Sequence, residues 1–422
     1  MISITQGPIA RGTIRTSFVL GLRLVVQAGT LLLVARLLGP REYGAFAGVA
    51  ALAVMLGTLA TFGTHLVLLG EVSRGPARRE DVLPYAVPFT LLCGGALLVV
   101  YLLICTFALR EAGMPIRVLV AIGITETLLQ PLFGLPAAEH LALGRIARSQ
   151  LLTTLPLALR LAAAAAVFLL RPADPLAAYG YGYFIASFIA LIIATVTMPA
   201  PWPAPNFWRF PKAAELREAA GYAALNITAT TPAELDKTLA TKLLPLAASG
   251  LYAAGARVVG AATLPVVAMM LSALPRLFRE GQDKSRRTAR LLRWVFAATL
   301  GYSVALAVVL WFIAPVFVWL FGAKYHGIQH VIHWLCLAVP GMALRMAAGS
   351  VLMALGKPWM RVGFELAGLV VLVVAALLLI AYFGTTGMPL ALVCSEWAMA
   401  MVGMAFVINI RDSAKKLKAP VA

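Results

Sequence analysis

The sequence predicts an all-α polytopic membrane protein whose twelve transmembrane helices form two six-helix lobes related by an internal repeat. Composition is the first observation: of 422 residues, 61% are hydrophobic and 12% are charged, and the mean hydropathy is +0.90. Those values lie outside the range of soluble domains. The second observation is that apolar runs of about 20 residues recur along the chain, each long enough to cross a hydrocarbon core of about 30 Å as a helix.

The apolar runs place the helices, and the charges between them orient the chain. With the N-terminus inside, most of the 35 lysines and arginines lie on the side of both termini, which the positive-inside rule makes cytoplasmic. The net charge of +18 therefore indicates orientation and contact with anionic membrane lipids rather than a nucleic-acid partner. The predicted helices cover residues 12–38, 43–70, 82–109, 115–139, 149–170, 176–198, 214–243, 249–275, 292–320, 327–355, 359–383 and 386–410.

An internal repeat is the third observation. The stretch RLLGPREYGAFAGVAALAVMLG at 36–57 returns in weaker form as KLLPLAASGLYAAGARVVGAAT at 242–263, and LALGR at 141–145 returns as MALGK at 353–357. We therefore expect an N-terminal lobe at 1–199 and a C-terminal lobe at 214–422, joined by a Pro- and Trp-rich linker at 200–213 that serves as the hinge. An even number of helices per half gives both lobes the same orientation, and the substrate is expected to lie between them.

Three short motifs carry a family resemblance: LLGPREYG after the first helix, GLYAAGA opening the eighth, and LFGAKY at 320–325. They resemble the polysaccharide-transport flippases, whose superfamily also holds multidrug and toxin extruders and the lipid II flippase. The resemblance implies movement of undecaprenyl-diphosphate-linked oligosaccharide across the bacterial inner membrane, for O-antigen (lipopolysaccharide) or exopolysaccharide synthesis. It implies alternating access without a chemical step, so the chain is expected not to be an enzyme. Glycan polymerase and glycosyltransferases are the expected protein partners.

Three alternatives stay open at this stage. A multidrug extruder of the same superfamily would carry a small cation, and a membrane scaffold for glycan assembly would carry nothing. The major facilitator fold also has two six-helix halves, and GEVSRGPARR at 70–79 partly resembles the loop motif of that fold. No loop is long enough for a catalytic domain, and the phosphate loop of Walker-type ATPases is absent.

Four arginines lie inside predicted membrane helices, where each charge costs about 2.5 to 3.5 kcal/mol. They are Arg23, Arg160, Arg257 and Arg345. Guanidinium groups bind phosphate oxygens in bidentate fashion, so these side chains are the candidates for holding the diphosphate. Arg23 and Arg257 belong to different lobes, and the resemblance to the lipid II flippase implies that arginines on these two helices line the cavity. The alternative is that each pairs with a structural carboxylate, as Arg160 does if it meets Glu126.

The seventh helix is the least apolar, and one of its faces carries polar side chains at intervals of three to four residues. Asn226, Thr230 and Glu234 lie on this face and are therefore expected to line the cavity. Glu234 and Asp236 are the candidates for coupling transport to a sodium or proton gradient. The alternative places Asp236 and its neighbour Lys237 in water at the outer interface. Pro232 is expected to break this helix.

No metal site and no cofactor other than a coupling ion are expected. Three histidines, at positions 326, 330 and 333, share a helical face, but no carboxylate or cysteine nearby completes a ligand set. Two further acids inside membrane helices, Glu365 and Glu396, are left without an assigned partner.

Overall fold

The computed structural model describes residues 8–266, 269–270 and 286–416, and within these ranges the chain is helical without a strand. Short 3₁₀ turns and one π-helical turn join or interrupt the α-helices. The α-helices are α1 (Pro8–Ala60), α2 (Thr64–Arg74), α3 (Arg79–Phe107), α4 (Ile116–Ile124), α5 (Gln130–Ala142), α6 (Ile146–Leu170), α7 (Pro175–Val196), α8 (Ala213–Leu243), α9 (Leu246–Ala262), α10 (Arg286–Phe321), α11 (Ile328–Cys336), α12 (Ala338–Ala354), α13 (Pro358–Phe383) and α14 (Gly387–Lys416).

These helices confirm the predicted all-α membrane fold. In the described residues, seven helical stretches are long and apolar enough to span a membrane, or eight if the pair α11 and α12, bent by 44°, counts as one span. Two of the seven stretches hold more than one predicted helix: Gly21–Ala60 bends at Gly39, and Pro358–Ile410 contains both α13 and most of α14. Each of the twelve predicted helices thus has a counterpart, although the end of the eighth lies outside the described residues.

A glycine and a proline shape the junction of the first two predicted helices. Gly39 has φ 71° and ψ 171°, which are not helical values, and the chain resumes its helix at Pro40. Glycine reaches this conformation without steric cost, and proline suits the first helical position because its missing N–H has no partner there. The two predicted helices are therefore separated by a kink at Gly39 and not by a loop.

The described chain divides into two compact units, residues 1–230 and 231–422. The sequence places the lobe boundary earlier, at the linker 200–213, but packing assigns the first half of α8 to the first unit. Ala219 is 1% exposed and lies in a core with Leu68, Leu83 and Leu135. The helix also continues through Pro232, so the expected break at this proline is wrong. Freed backbone groups beside a proline can be satisfied by local adjustment within the protein, which lets such a helix persist.

The linker is bound to the first unit by two arginines. Arg79 donates from Nη2 to the carbonyl oxygens of Ala200 (3.1 Å) and Pro201 (3.2 Å), while its Nε donates to Glu139 at 2.7 Å. Within the linker, the backbone N–H of Arg209 donates to the carbonyl of Pro84 at 3.0 Å. These bonds hold the segment against the start of α3.

Backbone geometry at one pair of the repeated segments agrees with the internal repeat. The turn after α5 and the turn after α12 both place a glycine at positive φ, Gly144 at 73° and Gly356 at 69°. Each glycine N–H donates to the carbonyl three residues earlier at 3.0 Å, and the next N–H donates to the carbonyl five residues earlier, at 3.0 and 2.9 Å. This is the hydrogen-bond pattern of a helix that ends in a Schellman turn. LALGR and MALGK therefore have the same backbone structure as well as similar sequences.

Candidate functional site

Arg160 lies in a buried ion pair within the first unit. Its Nη2 donates to Glu126 Oε1 at 2.9 Å and to Ser187 Oγ at 2.9 Å, and its guanidinium carbon lies 3.7 Å from the ring centroid of Tyr183. Tyr183 also donates its hydroxyl proton to the same Glu126 oxygen. Both charged side chains are almost fully buried, at 11% and 8% exposure. The alternative that Arg160 is neutralised by Glu126 is therefore what the structure shows.

Glu126 is positioned by an irregular turn of helix. Residues Thr125–Leu129 form a π-helical turn between α4 and α5. Such single turns occur inside α-helices and are frequent at functional sites. The backbone of this turn lies directly against two glycines, because a Cβ added to Gly57 or Gly94 would fall within 2.1 Å of Glu126 O or 2.3 Å of Thr127 O.

Arg345 lies in a larger network within the second unit. Its Nε donates to Glu396 Oε2 at 2.7 Å, and its Nη1 lies 3.8 Å from Glu365 Oε1. Arg361 donates from Nε to the same Glu365 oxygen at 3.0 Å. The two acids that the sequence left without partners are thus the counterions of Arg345. Sequence gives no signal for these pairs because their members lie on three different helices.

Arg23 and Arg257, the other two predicted intramembrane arginines, are half-buried on α1 and α9 respectively. Among the described residues, no carboxylate or hydrogen-bond acceptor pairs with Arg23, and its neighbours Leu22 and Val25 are 40% and 70% exposed. Of the four predicted intramembrane arginines, Arg160 and Arg345 are therefore held by protein carboxylates and Arg23 is not.

The polar face of α8 reaches both units. Asn226 and Thr230 are half-buried at the end of the first unit. In the second unit Asp236 is 2% exposed, and its Oδ2 accepts a hydrogen bond from Tyr252 at 2.8 Å. Lys237 is 5% exposed, so the alternative that placed this pair in water at the outer interface does not describe the structure.

The Lys237 side chain turns back along α8 toward Glu234 and Asp236. Its Nζ lies 3.3 Å from Asp236 Oδ1 and 3.7 Å from Glu234 Oε2, and it donates to the carbonyl of Ala233. Glu234 Oε2 is buried without a hydrogen-bond partner in the described part of the chain. Sequence reasoning named both acids but gave no role to the lysine.

Aromatic side chains surround two of the three histidines. The imidazole of His333 stacks on Trp311 at 4.2 Å between ring centroids, and its Nε2 lies 3.1 Å from the Trp311 carbonyl oxygen. His330 Nε2 accepts a hydrogen bond from the indole of Trp334 at 3.1 Å. In the described residues, no group of three or more His, Cys, Asp or Glu side chains is placed to hold a metal ion.

Sequence comparison decides the family. A family model described as polysaccharide biosynthesis protein matches residues 9–280, which is more than half of the chain. The chain belongs to this family. No curated protein sequence gives a significant match.

Solved structures show which fold this polysaccharide biosynthesis protein has. An inward-facing multidrug resistance MATE family transporter of the MOP superfamily matches with a TM-score of 0.79 at 12% identity, covering 94% of this chain and 96% of that one. Lipid II flippase MurJ, in an inward closed conformation, matches with a TM-score of 0.75 at 11% identity, covering 93% and 87%. A MOP superfamily transporter from Pyrococcus furiosus matches with a TM-score of 0.66 at 13% identity and 95% coverage of both chains. The fold is therefore that of the MOP superfamily and not the major facilitator fold.

Proposed function

We propose that this protein is a flippase for undecaprenyl-diphosphate-linked oligosaccharide in the bacterial inner membrane. It moves the lipid-linked glycan from the inner to the outer leaflet by alternating access, with both chain termini in the cytoplasm. Membership of the polysaccharide biosynthesis family supports the glycan cargo, and the MOP fold supports transport without a chemical step. The glycan then enters O-antigen or exopolysaccharide synthesis.

One observation carries the choice of an anionic cargo. Arg160 and Arg345 each bind a carboxylate within 3 Å, which removes the cost of their charge in the membrane. Arg23 is half-buried in an apolar helix without such a counterion in the described residues. A lipid diphosphate supplies the missing negative charge and accepts a bidentate guanidinium contact. We therefore assign Arg23 to the diphosphate, and Arg160 and Arg345 to the ion pairs of their own units. Arg257 joins Arg23 in this proposal because the resemblance to the lipid II flippase implies cavity arginines on these two helices.

Ion coupling belongs to the polar face of α8 in this proposal. Glu234 and Asp236 are the acids nearest the middle of that helix, and Asn226 and Thr230 continue the polar face into the first unit. Acids inside a membrane helix commonly mark an ion or proton pathway. Collapse of the sodium gradient and of the proton gradient, one at a time, identifies the ion that drives flipping. Flipping that persists after both gradients collapse contradicts coupling.

A flipping assay in proteoliposomes tests the cargo assignment. The substrate is a fluorescent undecaprenyl-diphosphate oligosaccharide, and the readout is its exposure to a membrane-impermeant reagent on the far side. A charged hydrogen bond contributes about 1.5 to 3 kcal/mol, so Arg23→Ala and Arg257→Ala should each slow flipping about tenfold or more. Arg171→Ala is the matched control because Arg171 is exposed at the end of α6. Unchanged flipping in both cavity variants removes the proposal.

The second candidate is a multidrug extruder, favoured by the MATE transporter structure at TM-score 0.79. An extruder of cations should transport a cationic dye and should tolerate loss of Arg23, whose positive charge repels such cargo. The same proteoliposomes answer this question when they are loaded with dye in place of the lipid. Dye efflux that is faster in Arg23→Ala than in the parent protein selects the extruder.

A further inference from the structure

The ammonium group of Lys237 lies among oxygen atoms inside the second unit. The side chain is 7% exposed, and its Nζ contacts the carbonyl of Ala233, Asp236 Oδ1 at 3.3 Å and Glu234 Oε2 at 3.7 Å. One main-chain carbonyl and two carboxylates form this set. Carbonyl and carboxylate oxygens are also the ligands that hard metal cations take in proteins.

The surrounding contacts hold these oxygens in place. Tyr252 donates its hydroxyl proton to the other carboxylate oxygen of Asp236 at 2.8 Å, and the backbone N–H of Lys237 donates to Oδ1 at 2.7 Å. Beside them Thr241 Oγ1 and Ser249 Oγ lie 2.9 Å apart. Glu234 Oε2 has no hydrogen bond of its own among the described residues, so the lysine is the cation nearest to it. Hydrogen bonds therefore fix these oxygen atoms, and the ammonium group of Lys237 occupies the position between them.

We propose that Lys237 acts as a tethered cation that fills a monovalent-cation site formed by Ala233, Glu234 and Asp236. A free sodium ion and the ammonium group need the same oxygens, so they exclude each other. Sodium does not bind here while Lys237 is in place, and loss of the ammonium turns the cluster into a sodium site. For ion coupling, which rests on the proposed flippase function, this leaves the proton and not sodium as the ion that Glu234 and Asp236 exchange. The binding of the cation itself does not rest on that function.

Charge makes the exchange favourable once the lysine is removed. Two carboxylates then lie next to each other in a buried region without a cation, which is costly for both. A bound sodium ion restores the lost charge and stabilises the folded protein by mass action, more strongly as its concentration rises. Choline is too large to enter the same oxygen cage, so it supplies ionic strength without occupying the site.

Thermal unfolding of the full-length protein in detergent tests the proposal directly. The midpoint is measured for the parent protein and for Lys237→Ala across a series of sodium chloride concentrations, with choline chloride holding the ionic strength constant. We expect no difference between the two salts for the parent protein. For Lys237→Ala we expect a midpoint that rises by several degrees with sodium in a saturable manner and does not rise with choline.

Three further variants make the result specific. Lys237→Arg keeps the positive charge and should remain insensitive to sodium. Lys242→Ala removes a positive charge from an exposed position on the same helix and should also show no sodium response. If Lys237→Ala does not fold, the milder pair Glu234→Gln with Lys237→Ala, which keeps one carboxylate, carries the same test.

Two results overturn the proposal. Sodium-specific stabilisation of the parent protein means that the site is open despite the lysine, and equal midpoints of the lysine-free variant in both salts mean that no cation site exists. Neither readout involves lipid flipping. A negative flipping assay therefore leaves the cation site standing, and a failed cation test leaves the assignment of Arg23 to the diphosphate unchanged.

Discussion

The two units treat buried charge differently although one repeat underlies both. In the first unit, Arg160 and Glu126 form a one-to-one pair, completed by a tyrosine and a serine. In the second unit, Arg345 lies within ion-pair distance of two carboxylates, and Glu365 lies within ion-pair distance of two arginines. In the first unit each charge has one counterion. In the second unit Glu365 keeps one arginine nearby when the other is removed.

The two units share their glycine turns but not their ion pairs. The Gly144 and Gly356 turns share their backbone geometry, which every copy of the unit needs to connect two helices. The charged residues do not correspond: with Leu141 aligned to Met353, Arg160 falls on Leu372 and Arg345 on Phe133. Backbone turns therefore follow the repeat, and ion pairs are specific to one unit.

Breaking the one-to-one pair should give the largest effect. Arg160→Met leaves Glu126 buried without a cation, and such losses cost about 3 to 5 kcal/mol of unfolding free energy. Arg361→Met should cost less, because Arg361 is 25% exposed and Arg345 remains near Glu365. Unfolding in detergent with increasing denaturant measures both. The double variant Glu126→Gln with Arg160→Met should recover most of the loss, and equal costs for the two single variants contradict the comparison.

Helix contacts through glycine give the next effect, which differs between Gly57 in the first unit and Gly368 in the second. A Cβ on Gly57 meets the backbone oxygen of Glu126 at 2.1 Å, whereas one on Gly368 meets side-chain atoms of Met399 at 2.0 Å. Methionine has rotatable bonds and can move, but a packed backbone cannot. Gly57→Ala should therefore cost about 3 kcal/mol of unfolding free energy and Gly368→Ala about 1 kcal/mol. Gly95→Ala, with open space at its Cβ, is the control and should be nearly neutral.

The repeated turns should respond equally. Gly144 and Gly356 both have positive φ and nothing within 4 Å of an added Cβ, so the cost of alanine comes from the backbone alone. That cost is about 1 to 2 kcal/mol of unfolding free energy for a left-handed residue. Gly144→Ala and Gly356→Ala should lower the thermal midpoint by similar amounts. A large difference between them indicates that the turns are not equivalent and weakens the repeat.

Sequence predicts the helices well because lipid leaves few choices. A membrane core demands long apolar helices, so hydropathy places most of the helices in the described residues, and glycine marks the turns that need positive φ. The Arg160–Glu126 pair was also within reach, since both charges fall inside predicted spans and need a partner. Arg345, Glu365 and Glu396 also fall inside predicted spans, but the sequence does not say which acid pairs with the arginine before the three helices are packed.

Other features depend on packing that a one-dimensional pattern does not contain. Lys237 lies six residues before the end of α8, where the sequence leaves a position in water open as an alternative, yet its long side chain folds back to two carboxylates. The helix passes through Pro232 against the ordinary rule. The linker looks mobile from its prolines, but Arg79 and Arg209 fix it by bonds to main-chain carbonyls that composition does not reveal.

The smallest effect is expected where charge lies in water instead of the membrane. Glu71, near the end of α2, accepts hydrogen bonds from Arg78 and from Arg74, and these contacts, chiefly that with Arg78, lower the pKa of the Glu71 carboxyl. The ion pairs therefore stabilise the folded protein at pH values above the usual pKa of a glutamate. This stabilisation is lost as the pH falls through the lowered pKa of Glu71. Because the arginine side chains are exposed, water and salt screen the interaction.

The parent protein should thus lose slightly more stability than Arg78→Ala between about pH 6 and pH 3 at low salt, and this difference should vanish at high salt. If the parent protein and Arg78→Ala still differ in their loss of stability at high salt, the Glu71 ion pairs behave like the buried ones. The distinction between exposed and buried ion pairs is then wrong.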